Sequence, residues 1–166
     1  FADVLGPEVF RAMLSAMDDA VGAIVAELER QGVLDNTLIF FMADNGPSRE
    51  TRNWLDGRTD PYYGGSAGSL RGHKFSLFEG GIRTPCLIRW PDRVAPRESN
   101  EMVHVTDMFP TLLGWAGCEI PDDRIIDGID QREFFSGAEE SKRDGCMVWL
   151  NEELHAVKWS QFKINF

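Results

Sequence analysis

The chain is poor in clustered positive charge, in cysteine and in long apolar runs, and each scarcity narrows what it does. Among its 166 residues 17 are Lys or Arg against 27 Asp or Glu, a formal net charge of −10. Phosphate backbones are bound by clustered Lys and Arg, and no such cluster occurs, which argues against a nucleic-acid partner. The three cysteines, Cys86, Cys118 and Cys146, stand far apart, a spacing that suits neither a zinc site nor a complete set of disulfides. Each is expected to be a small buried side chain. No stretch approaches the roughly 20 apolar residues of a membrane span, and no basic-plus-apolar signal opens the sequence at Phe1. A hydrophobic content of 43% with 11% aromatics is normal for a globular chain and argues against disorder.

What is present is concentrated first at Leu38-Ile39-Phe40-Phe41-Met42-Ala43-Asp44-Asn45-Gly46. A short apolar run ending in a turn signal reads as a strand buried on both faces, and in open α/β sheets ligands sit beyond the carboxyl ends of such strands. Asp44 and Asn45 offer the oxygen donors that a hard divalent cation requires, and Gly46 lets the backbone turn sharply beside them. Taken alone, the same string also suits an ordinary Asp-Asn-Gly turn.

The surrounding pattern is that of alternating helix and strand. From Pro7 to Gln31, Phe10, Met13, Leu14, Met17, Val21, Ile24, Val25 and Leu28 recur at helical spacing, with Pro7 suited to the first turn and Gly32 to the C-terminal cap. Asp18 and Asp19 diverge on such a helix and read as a solvated face. The following strand, Leu38 to Met42, reads as the αβ half of a parallel-sheet unit. The aperiodic segment from Gly46 to about Ser69 is read as a substrate-shaping loop, in which Trp54, Tyr62 and Tyr63 could contact an organic group. A second strand runs from Cys86 to Trp90, and a short helix capped by Thr106 or Asp107 runs through Trp115 to a stop at Gly117. Cys146 to Leu150, Leu154 to Trp159 and Phe162 to Phe166 read as an antiparallel meander. The last of these strands ends without punctuation, as expected of a cut sequence.

Five ordered blocks carry a resemblance. They are Asp35-Asn36-Thr37 before the first strand, Ala43-Asp44-Asn45-Gly46 at its end, Leu70-Arg71-Gly72-His73-Lys74, Phe78-Glu79-Gly80-Gly81-Ile82-Arg83-Thr84-Pro85, and Asp107-Met108-Phe109-Pro110-Thr111-Leu112-Leu113. In order and spacing they resemble the sulfatase family, of arylsulfatase type, in the alkaline-phosphatase-like superfamily. Met17 to Gly22 and Ala156 to Trp159 extend the similarity toward both ends, and Asp127-Gly128-Ile129-Asp130 resembles a family turn that is assigned no chemistry. The fold implied is α/β, part of an alkaline-phosphatase-like sandwich with a mixed, mainly parallel sheet flanked by helices, followed by the start of an antiparallel meander. Residues 1–142 would be the C-terminal half of the catalytic domain, and residues 143–166 the start of a C-terminal subdomain.

The resemblance implies sulfate-ester hydrolysis in a longer parent protein. Asp44 and Asn45 would be two ligands of one Ca2+ ion, preferred over Mg2+, and Lys74 the lysine that contacts sulfate. His73 is a further substrate-binding candidate. Lys74 also makes sense by itself, as a compact point charge set beside Gly72. Arg71 and Arg83 flank this segment, and Glu79 is expected to pair with Arg83 to brace the turn between them. The family's Cys-x-Pro-x-Arg or Ser-x-Pro-x-Arg string, whose first residue becomes the formylglycine nucleophile, is not found. Its nearest likeness, Asn45-Gly46-Pro47-Ser48-Arg49, has Asn at the convertible position. The nucleophile is therefore expected in a missing N-terminal half, with the isolated chain inactive. The substrate would be a small-molecule or saccharide sulfate ester, and the setting periplasmic, lysosomal or extracellular. A phosphonate or phosphate monoester hydrolase of the same superfamily, or a non-catalytic binding module, are the alternatives.

Overall fold

The computed structural model describes residues 2–49 and 64–166, so Trp54, Tyr62 and Tyr63 lie outside the described residues. The chain forms two compact units, Phe1–Trp90 and Pro91–Phe166.

In the first unit, helix α1 spans Ala2–Arg30. It begins five residues before the expected Pro7, which therefore lies inside the helix, where it removes one ladder donor. Its C-terminus closes as the sequence predicts. Gly32 adopts a left-handed φ of +70°, its N–H donates to the Glu29 carbonyl, and the Val33 N–H donates to that of Leu28. This pair of bonds is the Schellman arrangement. The stripe through Met13, Leu14, Met17 and Ile24 is exposed.

A single 3-10 turn, Leu34–Asn36, leads into β1, Ile39–Met42, which pairs with β2, Cys86–Arg89. The pairing is antiparallel, Ile39 opposite Arg89 and Met42 opposite Cys86. The expected mainly parallel sheet is not seen among the described residues, where every strand pair is antiparallel. The reason lies in the connection. A parallel neighbour requires a crossover that returns the chain to the opposite end of the sheet, whereas here the chain leaves β1 and re-enters β2 at the same end. The only described helix on that path is the one-turn α2, Glu79–Ile82. With one partner each among the described residues, β1 and β2 are not buried on both faces. Phe41, Leu87 and Cys86 are exposed, against the expected burial of both strand and cysteine. Arg89 ties the far end of β2 to the turn before β1, donating to the Leu34 carbonyl at 3.2 Å.

In the second unit a 3-10 turn, Val105–Asp107, runs into helix α3, Met108–Ala116, which stops at Gly117 with φ +71°. The start is capped from His104, two residues before the earlier of the two expected positions. The His104 Nδ1 accepts from the Thr106 N–H at 3.3 Å, and Asp107 Oδ2 accepts from the His104 N–H at 2.9 Å. Helix α4 spans Arg132–Ser136. Cys118 is exposed and Cys146 half-buried, again against the expectation of burial.

Asp107, 0% exposed, organises this unit. It takes an Arg143 N–H on each carboxylate oxygen, with Nε at 2.7 Å from Oδ2, and accepts from the Ile129 N–H at 2.8 Å. Burial alone would push its pKa up. The Arg143 guanidinium and the N–H groups of Ile129 and His104 outweigh that and hold it below the usual carboxylate range. Gly128 fits here because a Cβ would lie 2.2 Å from the Thr106 carbonyl oxygen, so the Asp127–Asp130 turn is a packing element.

Strands β3, Gly145–Leu150, β4, Glu153–Trp159, and β5, Phe162–Asn165, form the expected meander. Asn151 and Ser160 take positive φ at the first position of its two-residue turns, the geometry that matches strand twist.

Candidate functional site

The end of the β1–β2 pair where the chain departs and returns is built from backbone crossings between glycines. The Gly46 N–H donates to the Gly81 carbonyl at 2.8 Å, and the Gly80 N–H donates to the Arg71 carbonyl at 2.7 Å. The Lys74 N–H donates to the Pro47 carbonyl at 2.9 Å. Three segments separated by up to about forty positions of sequence are thereby layered: the Asp44–Ser48 turn, the Arg71–Ser76 loop and the first turn of α2.

The approach is possible only without side chains. A Cβ on Gly46 would lie 1.8 Å from the Gly80 carbonyl oxygen, one on Gly80 would lie 2.4 Å from that of Gly72, and one on Gly81 would lie 2.1 Å from that of Ser76. Burial of Gly46, Gly80 and Gly81 follows from this contact.

On this frame the expected site residues stand as follows. Asp44 is exposed and Asn45 half-buried at the end of β1. The Asn45 Nδ2 donates to the Gly46 carbonyl at 2.8 Å, which directs the amide nitrogen to the backbone and leaves Oδ1 as the donor atom available to a cation. His73 and Lys74 are both half-buried in the loop fastened to Pro47. The His73 Nδ1 lies 2.7 Å from the Lys74 carbonyl oxygen. A carbonyl only accepts, so Nδ1 carries the proton of this bond and Nε2 is the ring's remaining polar atom. The Lys74 ammonium stands 5.3 Å from the centroid of the Phe75 ring. Arg71 is exposed, its guanidinium 3.9 Å from the Phe78 ring, and Arg83 is joined to Glu79 through its backbone, N–H to carbonyl at 2.8 Å.

Two participants lie outside the expected set. Ser76 accepts from the His73 N–H on Oγ at 3.1 Å and closes the loop through its own N–H to the His73 carbonyl at 2.9 Å. The Pro47 carbonyl anchors Lys74. Neither carries a signal in sequence, because both act through a hydroxyl or a backbone oxygen that any short loop offers.

The donor chemistry at Asp44 and Asn45 fits part of a calcium shell. A carboxylate and an amide oxygen on consecutive residues are hard ligands, but Ca2+ takes about six to eight oxygens. Among the described residues no group of three or more His, Cys, Asp or Glu side chains is placed to hold a metal, so these two oxygens would need further ligands. A separate concavity of about 710 Å3 in the second unit is lined by Asp92, Trp115, Asp130, Arg132 and Glu133. Its charges are largely engaged with one another and with their neighbours: Arg132 pairs with Asp130 at 2.8 Å and Lys142 with Glu133 at 3.0 Å.

Among the described residues no helix is long and apolar enough to cross a membrane. The sulfatase family's sequence profile matches residues 8–118. Mouse (Mus musculus) steryl-sulfatase is 39% identical over 145 residues, covering 86% of this chain and 23% of that protein. Arylsulfatase A of Bos taurus is 37% identical over 162 residues, covering 95% and 30%. The crystal structure of the PsFucS1 sulfatase from Pseudoalteromonas sp. superposes with a TM-score of 0.74 at 34% identity, covering 90% of this chain and 28% of that one. The chain thus spans about a quarter to a third of the relatives it matches. With the profile matching well over half of its residues, and the ordered Asp-Asn-Gly, His-Lys and Glu-Gly-Gly blocks meeting at one end of a strand pair, the chain belongs to the sulfatase family.

Proposed function

We infer that the protein to which this chain belongs hydrolyses sulfate esters, with Asp44, Asn45 and Lys74 as this chain's share of the active site. The observation that carries the reading is the Lys74 N–H bond to the Pro47 carbonyl at 2.9 Å, which fastens the backbone of a cationic residue to the turn bearing two hard oxygen donors. Sulfate-ester cleavage gathers negative charge on the sulfuryl and ester oxygens, and fixed positive groups lower its barrier. The Lys74 ammonium supplies one such charge. Asp44 and Asn45 Oδ1 would hold a calcium ion, whose chemistry is to polarise a sulfate oxygen as a Lewis acid. His73, with Nδ1 committed to the Lys74 carbonyl, presents Nε2 for a hydrogen bond to the bound ester.

No Cys-x-Pro-x-Arg or Ser-x-Pro-x-Arg string occurs in the 166 residues, so the nucleophile and the remaining metal ligands belong to other parts of the parent. Residues 1–142 then form the C-terminal half of its catalytic domain, and 143–166 the start of an antiparallel subdomain. The isolated chain is expected to be inactive. Esters of ring alcohols are the favoured substrates, in keeping with the steryl and aryl of the relatives' names. The test is Lys74→Ala in the full-length protein, expected to lower turnover of an aryl sulfate by on the order of 100-fold. An unchanged rate removes Lys74 from the site.

A further inference from the structure

Residues 73–76 form a tight turn closed by the Ser76 N–H to the His73 carbonyl at 2.9 Å. Lys74 and Phe75 are its two apex residues. Phe75 occupies the third position with φ +72°, the left-handed conformation that turns of this kind ordinarily give to Gly. A bulky side chain there is a standing conformational cost, of the sort that concentrates at functional sites. Among the described residues little burial offsets it, because Phe75 is 81% exposed. The ring is not incidental in position either: the Lys74 ammonium lies 5.3 Å from its centroid, and the Lys74 backbone is bonded to the Asp44–Ser48 turn.

We propose that Phe75 is a specificity-determining residue of the sulfate-ester site, its ring providing the face against which the substrate's own ring packs while Lys74 holds the sulfate. The proposal rests on the reading of Lys74 given above. The ammonium and the ring centroid lie 5.3 Å apart, so the organic group of an ester whose sulfate contacts the ammonium comes within reach of the ring. Aromatic and apolar rings gain from such stacking, and a small inorganic anion gains nothing from it.

The experiment uses the full-length protein and two probes, 4-nitrophenyl sulfate as substrate and inorganic sulfate as competitive inhibitor. Phe75→Gly is a benign change for folding, since Gly adopts this φ freely, and its melting temperature should equal or exceed the wild type's. The expected result is a KM for 4-nitrophenyl sulfate raised about ten-fold, the scale of one lost aromatic contact. The Ki of inorganic sulfate should stay unchanged, and Phe75→Tyr should restore KM. Unchanged KM in Phe75→Gly overturns the proposal. So does a Ki for inorganic sulfate that rises in step with KM, which would mean the ring acts only through Lys74. A wild-type protein that hydrolyses no sulfate ester overturns the reading of the whole site together with this one, whereas an active wild type beside an indifferent Phe75→Gly sinks the ring contact alone.

Discussion

Gly46→Ala is the smallest substitution that tests how the site is assembled. The added methyl would lie 1.8 Å from the Gly80 carbonyl oxygen, where ordinary contact begins at 3.4 Å, a shortfall of 1.6 Å (3.4 less 1.8). The obstacle is backbone on both sides, so no rotamer change relieves it. The Asp44–Ser48 turn must lift from α2, breaking the Gly46 N–H to Gly81 carbonyl bond. Overpacking of this kind costs about 1–3 kcal/mol, and the lost buried bond about 1 kcal/mol more. The sum is about 2–4 kcal/mol, which at a urea m-value of about 2 kcal/mol/M lowers the unfolding midpoint by about 1–2 M. Urea titration of the wild-type and variant proteins measures this directly. Amide exchange at Gly46, Lys74 and Gly80 should accelerate together, because their three bonds share one crossing. A midpoint within about 0.2 M of wild type, with the Gly46 amide still protected, would refute the layered arrangement.

Gly22→Ala gives the opposite expectation: it lies inside α1 with nothing within 4 Å of an added Cβ, so it should stabilise by about 0.5–1 kcal/mol in the same titration. Arg143→Met strands the buried Asp107 carboxylate and should cost about 3–5 kcal/mol by calorimetry; a loss under about 1 kcal/mol would mean the pair is not buried in solution. Asp107 has a folded pKa below its unfolded one, so its stabilisation is complete above the unfolded value and is lost as pH falls through the folded value. Acid unfolding of wild type should therefore steepen below about pH 4, and Asp107→Asn should flatten that limb. Identical acid limbs would contradict the assignment.

The sequence made the parts of the candidate site legible but not their assembly. Asp44 and Asn45 could be read because a strand run ending in Asp-Asn-Gly is a local signal, and α1, α3 and the three-stranded meander because their periods and caps are local too. The antiparallel sense of β1 and β2 depends on where a long connection returns, which no short window encodes. The exposure of Cys86 follows from the same cause, since an apolar strand is buried only if neighbours cover it. The contact of Gly46 with Gly80 is between backbones far apart in sequence, and glycine's role there is to be absent as a side chain. Phe75 runs against local preference altogether: a turn apex at positive φ asks for Gly, so only coordinates reveal it.

The junction at Asp107 has a dynamic consequence. One carboxylate holds groups from His104, Ile129 and Arg143, so detaching any one of these segments weakens the grip on the other two and leaves a charge in a dry setting. Partial opening is thus disfavoured relative to complete opening, and residues 104–143 are expected to loosen as a cooperative block.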